Sequence, residues 1–242
     1  MQDNYVGDIG DYGKYGLLRA ICSEGISLSV NWYKVTPKKL GHQDDGKYIG
    51  YLSKPQIYRV YDCPLFDSLH KIICVDNDRR IQRVERENLF PAKYFSEEVT
   101  AHRADWHQKA LRQTLGTDAV FLDPDNGLET LNMFHANGAT EKHVKWSELK
   151  DYYDRGQNVI LYQHRAQMDT KEACIDKVLY FQYNYLKADC LRVLEFPKCA
   201  NRFYFIFIHK EYQNKFEQVC NRMVQTWGKK DFCRKIDNVY IT

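Results

Sequence analysis

Asp123 and Asp125 stand two residues apart at the end of an apolar run, in Ala-Val-Phe-Leu-Asp-Pro-Asp-Asn-Gly, residues 119–127. Two carboxylates this close raise each other's pKa unless a cation or a donor relieves them. Magnesium is one relief, because it takes carboxylate oxygens and keeps several waters. A substrate amine, which a neutral or ionised acid can hold by hydrogen bonds, is another. Asp-Pro-Asp-Asn-Gly is also a good turn sequence, in which Asp side chains satisfy nearby backbone amides. Its position directly after Val-Phe-Leu favours a site. A second apolar run, within residues 157–165, ends in Gln163, His164 and Arg165. Ligands in open α/β sheets bind outside the carboxyl ends of the strands. If the two runs are neighbouring strands, Asp123 and His164 open onto one crevice.

A further cluster lies in Asn-Tyr-Val-Gly-Asp-Ile-Gly-Asp-Tyr-Gly-Lys-Tyr-Gly, residues 4–16. Asp8, Asp11 and Lys14 share one helical face if a helix begins early. Gly7, Gly10, Gly13 and Gly16 recur every three residues, and each raises the cost of folding. Close approach of the backbone to a ligand would justify them. Asp8, Gly10, Asp11 and Gly13 are therefore the expected cofactor-binding positions, and Lys14 joins Asp123, Asp125, Asn126 and His164 as an expected catalytic group. The segment matches neither GxGxxG after a strand nor GxxxxGK[ST], which argues against dinucleotide or ATP binding by those routes.

The elements that must position these groups follow from periodicity. Helices are expected over residues 11–24, 64–74, 103–116, 145–156, 169–188 and 212–228, each with a spaced apolar face. Strands are expected over 26–35, 80–88, within 118–127, over 157–165, and two near 190–196 and 202–210 that read as an antiparallel hairpin at the sheet edge. Residues 36–64 read as a long loop or lid, carrying His42 and Lys47. Buried strands alternating with helices predict a single Rossmann-like α/β domain over residues 1–242, its mainly parallel sheet covered on both faces.

At 242 residues, 44% hydrophobic and 28% charged, the chain can bury a sizeable core and is not a disordered polymer. A formal charge of +3 excludes a strongly basic nucleic-acid coat but not a local patch. No apolar run reaches membrane-spanning length and no secretory leader is visible, so a cytoplasmic protein with no membrane contact is expected. The eight cysteines form no CxxC pair and read as free thiols, and the histidines match no compact zinc spacing.

This order of elements, with Asp-Pro after a buried strand and a terminal hairpin, resembles class I S-adenosylmethionine-dependent methyltransferases. The nearest likeness is to the family that methylates adenine N6 in large-subunit ribosomal RNA. On that resemblance Asp11 and Lys14 match an Asp and a Lys entering the first helix. Asp123-Pro124-Asp125-Asn126 matches an Asp-Pro-Pro-Tyr loop, and Asp154-Arg155-Gly156 an Arg-Gly segment. The resemblance implies a seven-stranded sheet with an antiparallel last strand, S-adenosylmethionine as cofactor, and a nucleic-acid base or nucleotide as substrate. Asp123 would orient the amine and Asn126 would bind it. Residues 36–46 contain no glycine-rich loop of the family's kind, and Asn126 stands where the family stacks a tyrosine on a flipped base. Two other readings remain open. One is a divalent-metal-dependent nuclease or phosphohydrolase. In it Asp123, Asp125 and Asp8 hold Mg2+, and Lys14 or His164 neutralises phosphate. The other is a non-catalytic nucleic-acid-binding or interaction module.

Overall fold

The computed structural model describes residues 1–36, 48–166, 168–199 and 201–237. In chain order the elements are α1 (Ile9–Ser23), β1 (Leu28–Asn31), α2 (Pro55–Tyr58), α3 (Cys63–His70), α4 (Ile81–Arg86) and β2 (Ala92–Phe95). Then come α5 (Arg103–Gln113), β3 (Ala119–Leu122), β4 (Gly127–Leu128), α6 (Leu131–Ala136), β5 (His143–Val144), α7 (Trp146–Asp154) and β6 (Asn158–His164). The chain closes with α8 (Lys171–Phe181), β7 (Cys190–Phe196), β8 (Arg202–Ile208), α9 (Gln213–Trp227) and β9 (Arg234–Lys235).

Seven strands form one sheet in the order β2-β1-β3-β6-β8-β7-β9, and β4 pairs with β5 apart from it. The first four are parallel; β8 lies antiparallel between β6 and β7. This is the mixed, mainly parallel Rossmann-like α/β arrangement expected. Alternate residues of each strand enter opposite cores, since side chains in a strand point to alternate faces. Ala119 and Phe121 pack with α1, α3, α4 and α9 on one face, while Val120 and Leu122 pack with α5, α7 and α8 on the other. Burial on both faces explains why β3 and β6 read as continuous apolar runs.

Three expectations need correction. Residues 80–88 form a helix, not a strand: Ile81 and Val84, three apart, are both buried, which is a helical spacing. The edge strand is β2, a few residues later. The β7–β8 hairpin is not itself the edge, because β8 is interior and β9 pairs outside β7. Within 36–64, residues 48–64 are packed helical turns instead of an open lid, with Tyr51 and Leu52 buried under α1. His42 and Lys47 lie outside the described residues. Among the described residues no helix is long and apolar enough to cross a membrane, and the eight cysteines are free.

The chain leaves β1 for β2 on one side and returns to β3 on the other. The crevice between the carboxyl ends of β1 and β3 is therefore a topological switch point, the place where open α/β sheets bind ligands.

Candidate functional site

Asp8 caps α1: its Oδ1 accepts from the Asp11 amide at 2.8 Å, which satisfies one of the orphan donors of a helix start. One turn later the same helix delivers Lys14 to the carboxyl end of β3. Lys14 Nζ lies 2.8 Å from Asp11 Oδ1 and 2.8 Å from Asp123 Oδ2, and its side chain is only 4% exposed. Asp11 Oδ2 accepts from the Tyr15 hydroxyl at 2.9 Å and the Gly7 amide at 3.2 Å. Burial works against charge on Lys14, but Asp11 and Asp123 outweigh it and hold the ammonium well above its usual pKa. Burial pushes the Asp123 carboxyl up, with Lys14 pulling it back.

The turn after β3 is braced in the same way. Asp125 Oδ1 lies 2.9 Å from the Met1 amino nitrogen, and Oδ2 accepts from Gln2 Nε2 at 2.7 Å. Burial alone would raise the Asp125 carboxyl, but these two contacts bring it below its usual range. The Met1 nitrogen also donates to the carbonyls of Tyr33 and Asp123, at 3.0 and 3.1 Å. Met1 thus sits in the crevice between β1 and β3, where the buried Trp32 and Tyr33 follow β1 directly. Open space lies on the other side of the turn, toward β6.

Asn126 is fixed by its backbone. Its amide donates to Lys142 O at 3.0 Å, and its carbonyl accepts from the His164 amide at 3.2 Å and Gln163 Nε2 at 3.1 Å. Gly127 follows with φ +113°, and a Cβ there would stand 2.2 Å from the Gln163 amide oxygen, so only glycine fits. The Asn126 side-chain nitrogen lies 3.3 Å from His143 Nε2, and no described group donates to its oxygen.

Antiparallel register supplies the far wall. Tyr162 of β6 faces Tyr204 of β8, and His164 faces Arg202. Arg202 Nη2 is 3.6 Å from Asp8 Oδ2, and its guanidinium lies over Gly10 of α1. Burial, then the charges of Arg202 and Arg165, lowers the His164 pKa. Together these groups bound a cavity of about 310 Å³, at the small end of the range for small-molecule sites, about 300–1,000 Å³.

Eight residues marked by the sequence line this one cavity: Asp8, Gly10, Asp11, Lys14, Asp123, Asp125, Asn126 and His164. Gly13 does not line it. A Cβ on Gly13 would meet Phe196 at 2.7 Å, and one on Gly16 would meet Trp227 at 2.3 Å. The glycine rhythm therefore serves close packing of α1 on β7 and α9 at these two positions, and only Gly10 faces the cavity. Arg155 braces the opposite end of the sheet through Thr114 and Leu111. Sequence reasoning missed Arg202, Tyr162, Lys142, Tyr5 and Tyr48, all of which line the cavity. The first two were within reach: once β8 is antiparallel to β6, a period of two places Arg202 and Tyr162 on the face of His164.

Among the described residues no three His, Cys, Asp or Glu side chains group so as to hold a metal ion. Of the expected metal ligands, Asp123 is paired with Lys14 and Asp125 with the Met1 amino group. No family model matches the sequence, and comparison with curated proteins finds no relative.

Proposed function

We propose that this chain is a methyltransferase-like, adenosine-binding protein that transfers a methyl group from S-adenosylmethionine to an amino group of a nucleic-acid base. The observation that carries the reading is the Asp-Pro-Asp-Asn turn. It leaves β3 beside the switch point of a seven-stranded sheet in which β8, set between β6 and β7, and the edge strand β9 run against the rest, and it opens onto a cavity of nucleoside scale.

The residues present fit such a ligand on the β3–β6 side. Asp8 offers carboxylate oxygens to ribose hydroxyls or an amino group, and Gly10 leaves room for the Arg202 guanidinium on the cavity wall. Tyr5, Tyr48 and Tyr162 bring aromatic rings to the same walls. They stand in for the stacking tyrosine that the turn itself lacks, since base–aromatic stacking tolerates any ring source. The crevice outside β1 holds Met1, Trp32 and Tyr33, so the ligand enters from the β3–β6 side. When bound, S-adenosylmethionine would supply an electrophilic methyl group and leave as the thioether S-adenosylhomocysteine, while the methylated amine sheds one proton to solvent. The chain's own part is to hold the acceptor amine at the Asn126 amide oxygen and to keep water out. The Lys14 bridge fixes Asp123 beneath that position.

The bridge also weighs against the metal-dependent hydrolase, because Asp123 already has its cation. Transfer of labelled methyl groups from S-adenosylmethionine to mixed RNA and DNA, in chelator, tests the proposal. Incorporation that falls at least tenfold in Asn126→Ala supports it. Absence of incorporation alongside magnesium-dependent cleavage of the same nucleic acid replaces it with the hydrolase. Nucleic-acid binding with neither activity leaves an interaction module.

A further inference from the structure

The charges around the cavity do not cancel evenly. Asp11 and Asp123 share Lys14, and Asp125 is held by Met1 and Gln2. Lys142 adds its charge to those acting on Asp125, and what remains is Arg202 against Asp8. Asp8 is the one described carboxylate within ion-pair reach of Arg202, and at 3.6 Å it lies outside hydrogen-bond distance. Burial of Asp8 also pushes its carboxyl up, which weakens it as a counter-ion. Arg202 is only 9% exposed, yet it lines the cavity. The Tyr162 hydroxyl engages its guanidinium, and with five donors the group has further ones to offer to a ligand.

The seat of Arg202 is specific. Its guanidinium occupies the space of a missing side chain on Gly10: a Cβ there would fall 2.0 Å from Cζ. That places a cation against the first turn of α1, whose own dipole is positive. Asp8, which caps that turn, faces both positive features, and a ligand anion would join it there. His164, the cross-strand neighbour of Arg202, is held toward its neutral form and adds no competing charge.

We propose that Arg202, seated on Gly10, is a phosphate-binding residue for the methyl acceptor, and that the acceptor entering this cavity is a nucleotide or a strand and not an uncharged nucleoside. This rests on the adenosine-binding reading and narrows it. Planar, two-pronged donation to phosphate oxygens is the use to which a guanidinium is best suited. The phosphate can arrive on a free mononucleotide or on a strand.

Calorimetric titration of the full chain with adenosine, adenosine 5′-monophosphate and a short single-stranded oligoadenylate tests this. The phosphorylated ligands are expected to bind at least tenfold more tightly than adenosine, and Arg202→Gln to abolish that preference while adenosine binding is retained. Gly10→Ala is expected to do the same by displacing the guanidinium, and it leaves Arg202 chemically intact should Arg202→Gln fail to fold. Whichever phosphorylated ligand binds more tightly identifies the source of the phosphate. Equal affinity for adenosine and its monophosphate, or a preference that survives both substitutions, overturns the subsite while leaving adenosine binding in place. Conversely, loss of S-adenosylmethionine binding with the phosphate preference intact overturns methyl transfer and keeps the subsite.

Discussion

Lys14 Nζ lies 2.8 Å from Asp123 Oδ2, joining the first helix to the end of β3 across 109 residues of sequence. Both side chains are almost wholly buried, so neither can exchange its partner for water. Breaking a buried pair by removing one member typically costs about 3–5 kcal/mol, because a buried charge is left uncompensated. Lys14→Met is expected to destabilise the protein by about that amount in urea unfolding. A loss below about 1 kcal/mol would show the pair to be solvated, as surface pairs are.

The Tyr204 hydroxyl is buried and has no hydrogen-bond partner among the described residues. An unsatisfied buried polar group costs about 1–3 kcal/mol. Tyr204→Phe removes only that oxygen and is expected to raise the unfolding midpoint. A lowered midpoint would mean that the hydroxyl makes a bond in solution, with water or with a ligand in the adjoining cavity.

Gly16 tests the packing of α1. In an exposed helix, Gly→Ala gains about 1 kcal/mol. Here the added methyl would stand 2.3 Å from the Trp227 ring. Overpacking of this kind costs about 1–3 kcal/mol, so Gly16→Ala is expected to destabilise despite the better helix former. Thermal melts of the two proteins decide the sign.

His164 carries the pH dependence. Its folded pKa is depressed by burial and by Arg202 and Arg165, while the unfolded ring titrates near about 6.5. A depressed pKa gives stability that is present above the unfolded value and lost as pH falls through the folded one. Unfolding free energy is expected to drop below pH of about 6.5, and His164→Gln to flatten that limb. Following the ring by NMR, Arg202→Gln should move its titration upward. An unchanged midpoint would separate the two side chains electrostatically.

Much of the fold was legible because burial on two faces writes itself as an uninterrupted apolar run. β3 and β6 show this, and so does the β7–β8 pair with its short connection. The exceptions have physical reasons. Ile81 and Val84 in a six-residue helix carry too few turns to establish a period against the β-branched signal. The four residues of β2, with Lys93 exposed at the sheet edge, carry no apolar run at all. The carboxylates of the site were visible from their position after β3. Their counter-ion was not assigned, because a contact between residues 14 and 123 depends on where α1 crosses the sheet, and no local pattern encodes that crossing. Gly13 and Gly16 misled for the same reason: a close approach to a ligand and one to Trp227 leave the same mark in sequence.

The central claim is that the cavity beside Asp123 takes an adenosine ligand without a metal. The most direct measurement is calorimetry of the purified protein with S-adenosylmethionine in chelator, repeated with Asp125→Asn and Asn126→Ala. Saturable one-site binding, retained in Asp125→Asn and weakened in Asn126→Ala, is the expected result. No heat at millimolar ligand, or heat with magnesium instead that is lost in Asp123→Asn, would contradict it.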